Sequence, residues 1–389
     1  MVEVFAFHLM PYTDLPLAAL EEHGTSWVKL PNSYYDPVKG REFYNQYFEQ
    51  LEYSDRLGFD GVVVNEHHQT AYGLMPAPNV IAGLLAGRVK NAKIAILGNA
   101  IAMHAIPQRI AEEIAILDVA TGGRIISGFV RGIGAEYFSF RNVNPSDSKE
   151  RFYEAHDIIM RAWTETGPFE YHGKHYHFPY INTWPRPFHQ PHPPVFLPSQ
   201  GSTDTIEFGA KHRYTYLQTL SSTDAMKKSF DLFREEAEKH GYTAAPHQLG
   251  WSHKVYVAET DAKAWEEAEE HMTFFFERLL NMPPEMFFPP GYLHEASMGQ
   301  ILANAKSRKN RTMQEMCDMG LITIGSEATV RQRLCELQKE MGFGVLNAHM
   351  HTGNMPHWKA MKNIDLFGRF VLPHLQKLGK PEAGAAASR

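Results

Sequence analysis

Cysteine is almost missing from this chain. Cys317 and Cys335 are the only two in 389 residues, so one disulfide is the maximum and a disulfide-built scaffold is excluded. Long apolar runs are missing as well; no stretch approaches the ~18 residues that a membrane span requires. There is no surplus of basic charge. The 38 Lys+Arg stand against 44 Asp+Glu, for a net charge of −6, whereas a nucleic-acid binder normally carries a basic face. The segment from Met1 to Pro16 has neither the basic start nor the apolar core of a secretory leader. The expectation is a cytoplasmic protein with neither a membrane nor a nucleic acid as partner.

What is present is material for a large core. The 24 Phe, 17 Tyr and 6 Trp exclude a disordered chain. Short β-branched runs alternate with longer helical patterns. Strands are expected at Val2–Leu9, Gly61–Asn65, Ile94–Ala100, Arg124–Val130, Val195–Pro198, Tyr214–Thr219, Leu249–Ala258 and Gly344–Met350. Helices are expected between them, among them Pro78–Val89, Pro107–Ala120, Ser148–Glu165 with Ser148 as N-cap, Thr203–His212, a helix capped by Asp224, Asp261–Asn281 and Glu327–Met341. This alternation predicts an α/β fold, a (β/α)8 barrel with loop insertions at its C-terminal face, as one domain over 1–378 followed by a frayed tail at 379–389. A doubly wound open sheet is the alternative, weakened because no G-x-G-x-x-G follows the first strand. Two stretches, 166–194 and 282–311, read as irregular. Together with 10–40 they are candidates to cover the barrel mouth, and 282–311 reads as either a mobile lid or a surface loop.

In such a barrel the chemistry lies at the C-terminal strand ends. The second strand ends in Asn65-Glu66-His67-His68. Adjacent histidines on a strand end point to opposite sides, unlike the pair one helical turn apart that binds zinc in H-E-x-x-H. A general base, a structural role and a metal ligand all remain open for them. The fifth strand ends in Ser199-Gln200-Gly201-Ser202-Thr203 at a helix start, which reads either as a plain N-cap or as an anion site. Arg131 and Arg151 are expected to converge on the same rim, against the ordinary alternative of surface ion pairing. His172, His175, His177, His189 and His192 are interleaved with Tyr, Phe and Pro and lack a cysteine partner, so no metal is expected there.

Four segments together carry a family resemblance. They are Gly58-Phe59-Asp60 with Glu66-His67-His68; Ile96 to Asn99 with Pro107, Arg109, Glu112 and Asp118; Gly123-Arg124 with Gly128 to Glu136; and Pro193-Pro194-Val195 with Ser199 to Ser202. Gly325-Ser326-Glu327 and Tyr171 to Tyr176 add to them. In order and spacing they resemble the bacterial luciferase-like flavin-dependent monooxygenase superfamily, from Val4 to about Leu375, and most of all its luciferase, limonene monooxygenase and diketocamphane monooxygenase types. The resemblance implies reduced FMN (FMNH2) supplied by a separate NAD(P)H-dependent flavin reductase. Oxygen would add at flavin C4a, and the peroxyflavin would oxygenate a small, largely apolar organic substrate. It implies His67 as the catalytic residue and Asn65, Gly98, Asn99, Arg131, Arg151, Ser199, Gln200, Gly201 and Ser202 as cofactor-binding, with a non-prolyl cis peptide near Gly98 and Asn99. It also implies a homodimer through helices near residues 78–120. The chain departs from the pattern at Val130, where luciferases carry a reactive cysteine, and at Gln200, where the family has Glu. A deazaflavin-dependent hydride-transfer enzyme, a non-catalytic flavin-binding relative and a barrel hydrolase or metal-dependent lyase are the alternatives.

Overall fold

The computed structural model describes residues 1–139, 143–292 and 311–378. Its strands are β1 (Glu3–Phe7), β2 (Gly61–Val64), β3 (Lys93–Ile96), β4 (Asn99–Ala100), β5 (Ile125–Val130), β6 (Phe169–His172), β7 (His177–Ile181), β8 (Val195–Ser199), β9 (Thr215–Thr219), β10 (Leu249–Ala258), β11 (Ile322–Ser326) and β12 (Val345–His349). Eight of them pair in parallel in the order β1-β2-β3-β5-β8-β9-β10-β12. β12 pairs back to β1, with Phe5 opposite Asn347, and this closes the barrel. These eight are the strands that the hydrophobic runs predict.

The apolar residues divide by strand face. Phe5, Val63, Ala95, Ile126, Phe196 and Leu217 fill the barrel interior. Their strand neighbours Val4, Val62, Ile94, Ile125, Val195 and Tyr216 pack outward against the helices. Period-two alternation on strands buried on both faces therefore makes two cores from one run of residues.

Several expectations need correction. The stretch 166–194 is not irregular throughout, because β6 and β7 form an antiparallel hairpin with Tyr171 opposite Phe178. It packs on the helix Ser148–Thr164, where Glu154 accepts from the backbone N–H groups of Lys174, His175 and Tyr176. No residue of 166–194 lines the cavity at the mouth. β11 was not expected as a strand; it lies outside the barrel and pairs only with the second half of β10, Lys254 to Ala258. Ser148 is the first helical residue rather than the cap. Ser222, not Asp224, caps its helix, accepting from the Ala225 N–H. The helix from Asp261 stays α-helical to Phe274 and continues as a π-turn, Phe275–Leu279. Most of the second irregular stretch (293–310) and the tail 379–389 lie outside the described residues.

Candidate active site

A cavity of about 420 Å³ opens at the C-terminal ends of the strands. His67 reaches it from the loop after β2, and its backbone N–H donates to the Met75 carbonyl (3.2 Å). The ring sits edge-on to Trp27 (5.3 Å) and Tyr72 (5.1 Å), so two aromatic faces fix its tilt. Its Nδ1 lies 3.3 Å from Glu136 Oε1. A carboxylate only accepts, so Nδ1 carries the proton and Nε2 of the neutral ring is the basic atom. Glu136 is buried and over-used as an acceptor, taking the His68 N–H (3.1 Å) and the Ile133 N–H (3.0 Å) as well. It is fixed by three groups, not by His67 alone.

The two adjacent histidines do diverge. His68 turns away from the cavity and its Nε2 lies 2.6 Å from Glu66 Oε1. Glu66 is 6 % exposed. Burial pushes its carboxyl up, but the imidazoles of His104 and His68 outweigh burial and hold it at about 2. Its other oxygen accepts the Ala100 N–H (3.0 Å), tying β2 to β4. Glu66 is therefore a strut, and the only histidine of the pair that faces the cavity is His67.

The other expected residues divide. Asn65, Gly98, Arg131, Ser199, Gln200, Gly201 and Ser202 line the same cavity as His67, whereas Asn99 and Arg151 do not. Asn99 is buried behind the wall in β4, opposite Phe129. Arg151 donates to the carbonyls of Ala102 (2.9 Å) and His104 (3.2 Å) and stacks 4.7 Å from the Tyr176 ring. It braces the loop after β4 and does not converge with Arg131. The peptide bond Leu97–Gly98 is cis. A Cβ on Gly98 would lie 2.5 Å from Gly128 C and 2.6 Å from Phe129 N, so only glycine fits here.

The anion-ready end is built locally. Ser199 Oγ accepts from the N–H groups of Gly201 (3.2 Å) and Ser202 (3.1 Å), which closes a tight loop with Gly201 at φ +97°. Ser202 precedes the helix Thr203–His212 and makes no side-chain cap bond, so the hydroxyl and the first helical N–H groups remain for a ligand. Arg131 lies under Tyr292, 4.7 Å from its ring. Lys149, in an ion pair with Asp204 (2.7 Å), is the second basic residue of this end.

Sequence reading missed Lys149 and Lys254 and gave no role to Glu136 or to His349 at the end of the eighth strand, and all four line the cavity. Lys149 sits two residues before Arg151 on the same helix, and only the direction of the helix decides which of the two faces inward. Glu136 was legible as the Glu of Gly134-Ala135-Glu136 but carried no signal for its partner 69 residues away. The cover is partly as expected. Trp27 Nε1 donates to the Leu279 carbonyl (3.0 Å) and Ser26 Oγ to the same oxygen (2.8 Å), which clamps the N-terminal loop to the π-turn. The five histidines of this stretch do not converge on one point: His172 meets Glu170, His189 meets Asp118 and His192 meets the Pro193 carbonyl, while His175 meets Glu150 and with Asp147 forms a group whose potential ligand atoms lie within 4.8 Å of one another.

The family model of luciferase-like monooxygenases matches residues 30–343. The chain is 34% identical over 195 residues to the alkanal monooxygenase beta chain of Vibrio harveyi; the match spans 50% of this chain and 59% of that one, so little more than half of that relative's length is covered. It is 24% identical over 247 residues to the oxygenase component of a flavin-dependent trigonelline monooxygenase of Acinetobacter baylyi, covering 62% and 66% of the two chains. Among solved structures it resembles the oxygenating constituent of 3,6-diketocamphane monooxygenase of Pseudomonas putida, a type II Baeyer-Villiger enzyme in complex with FMN, at TM-score 0.75 and 18% identity over 96% and 98% of the chains. An F420-dependent secondary alcohol dehydrogenase shares the fold at TM-score 0.68 and 16% identity, over 96% of this chain and 99% of that one.

Proposed function

The chain belongs to the luciferase-like monooxygenase family, and from that premise we propose that it is the oxygenase component of a two-component, FMN-dependent monooxygenase acting on a small, largely apolar molecule. One observation carries this reading. A histidine oriented by a buried carboxylate and an anion-ready loop with two basic residues line the two ends of one aromatic-walled cavity. The residues suit a flavin. Asn65 Oδ1 is buried at the wall without a hydrogen-bond partner, an acceptor available to a ring N–H. At Gly98 the wall is backbone packed directly on the backbone of Gly128 and Phe129, with no room for a Cβ between them. Arg131, Lys149 and the Ser199–Ser202 loop would hold the phosphate.

The flavin, when bound, supplies the reduced ring that activates dioxygen. His67 Nε2 holds or returns a proton at the reacting centre, and Glu136 keeps the tautomer that leaves this nitrogen basic. Trp27, Tyr72, Leu280 and Met282 exclude water, which otherwise diverts such chemistry to hydrogen peroxide. The reduced cofactor would come from a separate NAD(P)H-dependent flavin reductase. We also propose a homodimer through the helices Pro78–Ala86 and Pro107–Thr121, whose Val80, Leu84, Ile116 and Val119 are between 45% and 62% exposed.

The test is rapid mixing of the protein and photoreduced FMN with oxygenated buffer, followed by flavin absorbance. Reoxidation at least about tenfold slower than that of free FMNH2, with the delay lost in His67→Ala, is the expected result. Reoxidation at the free rate, both with and without a panel of apolar additives, would sink the monooxygenase reading and direct a titration with a deazaflavin coenzyme. Unchanged turnover in His67→Ala would remove the argument that the retained His67 makes against a non-catalytic flavin binder.

A further inference from the structure

The inner face of the barrel changes character around its circumference. On β1, β2, β3, β5 and β8 the inward residues include Phe7, Val63, Ala95, Ile126 and Phe196. On β9, β10 and β12 they include Thr219, Ser252, Lys254 and His349, which line the cavity, and Asn347 one inward position below His349. The proposed chemistry at His67 uses none of these polar groups. Asn347 Nδ2 donates to Ser252 Oγ (3.3 Å), while Asn347 Oδ1 is buried without a hydrogen-bond partner among the described residues. His349 is 3 % exposed, packs 4.0 Å from the Phe7 ring, and has a partner at neither ring nitrogen among the described residues. Burial first, then the charge of its register neighbour Lys254, keeps this imidazole neutral, so it carries one N–H donor and one lone pair. The unmet groups on His349 and Asn347 are therefore one donor and two acceptors. Leaving them unmet is costly unless a ligand completes them.

We infer that His349, with Ser252 beside it, is a recognition subsite for a hydroxyl group on an otherwise apolar substrate. The inference rests on the proposal that this cavity is the substrate site of an oxygenase. A hydroxyl brings one donor and two lone pairs, so it answers either nitrogen of His349: it donates to the lone pair or accepts from the N–H. A carbonyl or a carboxylate brings acceptors only and leaves the lone pairs of His349 and Asn347 unmet. An ammonium brings donors but would stand next to the ammonium of Lys254. Strand register sets the direction of the rest of the molecule. Phe7 is opposite His349 on one side and opposite Val63 on the other. Two strand spacings of about 4.8 Å separate β12 from β2, so the apolar body would run from His349 over Phe7 toward His67.

The experiment uses two pairs of probes. In the first, p-cresol and p-fluorotoluene, nearly equal in shape, differ in the hydroxyl; in the second, cyclohexanol and cyclohexanone separate a hydroxyl from a carbonyl. Each is titrated calorimetrically into the full-length protein saturated with oxidised FMN. The wild type is expected to bind p-cresol about three- to tenfold more tightly than p-fluorotoluene, and cyclohexanol at least about threefold more tightly than cyclohexanone. His349→Leu, close in volume and apolar, is expected to abolish both preferences while leaving p-fluorotoluene and FMN affinities unchanged. The same variant should keep or raise the urea midpoint of the ligand-free protein, because it removes an unpartnered imidazole; a lowered midpoint would make His349 a structural residue and overturn the inference. Ser252→Ala, the second variant, is expected to reduce the p-cresol preference about threefold. In the wild type, p-cresol bound no more tightly than p-fluorotoluene, or the ketone bound as tightly as the alcohol, overturns the inference. So do preferences that survive His349→Leu or, where that protein does not fold, survive Ser252→Ala. A His349→Leu protein that loses FMN affinity but keeps the p-cresol preference overturns it too, since the ring would then serve the flavin. The preference is read without turnover, so if the oxygenase reading alone is wrong it persists while reduced flavin reoxidises at the free rate.

Discussion

Glu136 and Glu66 flank the same pair of adjacent histidines and do opposite work. Glu136 touches the ring that faces the cavity; Glu66 touches the ring that faces away. Glu136→Gln keeps one acceptor oxygen and introduces an N–H that cannot receive from His67. Turnover is expected to fall roughly ten- to hundredfold with FMN affinity unchanged, as steady-state kinetics and a flavin titration would show. Equal losses in both would mean that Glu136 holds the loop rather than the tautomer. The Glu66–His68 pair acts on stability. Glu66 is held at about 2 against an ordinary 4.5, so its contribution is present above 4.5 and fades as pH falls toward 2. His68 is raised above 6.5 by Glu66 against the opposing pull of burial, so its contribution is present below 6.5 and fades as pH climbs through the folded value. Glu66→Gln should therefore cost most between these limits, and urea titrations across that window would show it.

At the scale of elements, two of the hydrogen bonds that hold the cover meet at a single carbonyl, beside those from Thr25 to the Asn281 carbonyl and from Asn281 to the Gly24 carbonyl. Trp27 and Ser26 both donate to Leu279. Trp27→Phe keeps the ring and removes the N–H. A loss of ~1 kcal/mol at the clamp corresponds to about fivefold more frequent opening. Reoxidation of bound reduced flavin should speed up by that factor, while the unfolding midpoint barely moves. An unchanged rate would show that the clamp does not guard the cavity. The wall under the cavity tolerates less change. Gly98→Ala pushes a methyl into the backbone of Gly128 and Phe129. It is expected to cost ~2 kcal/mol or more by denaturant titration and to weaken FMN binding.

At the scale of the whole molecule, five fully buried histidines stand neutral in the fold. They are His8, His156, His253, His349 and His351, and burial is the first cause in each case; His8 and His156 are lowered to about 3. Groups lowered from 6.5 stabilise the fold above that pH and lose the contribution as pH falls below it. Between pH 7 and pH 6 the five together should lower stability by roughly 3 kcal/mol. Urea midpoints that stay flat over this interval would contradict the burial of these rings as neutral groups. The exposed apolar residues on the two helices predict a second whole-molecule outcome. Leu84→Glu with Ile116→Glu should leave the fold intact and halve the mass seen by light scattering; an unchanged mass would rule this face out as the dimer contact.

The sequence by itself determined the eight barrel strands and singled out His67 and the tight loop Ser199 to Ser202 that line the mouth, because each is written in a short contiguous stretch. Hydrophobic alternation specifies a strand facing two cores, and Ser199 to Ser202 close their own turn. The hairpin β6-β7 escaped notice because its exposed residues, such as Glu170, His172 and Tyr180, break the apolar pattern of a buried strand. β11 escaped because it lies outside the barrel's alternation and pairs with only half of β10. The tertiary structure decided everything that depends on direction across a distance. It sent Lys149 into the cavity and Arg151 away from it, although the two share a helix, because helical rotation separates their side chains. It put Asn99 behind the wall and Gly98 on it. It brought Glu136 to His67 and Lys254 to His349, pairs joined only when the barrel closes and its strand ends come to share one mouth.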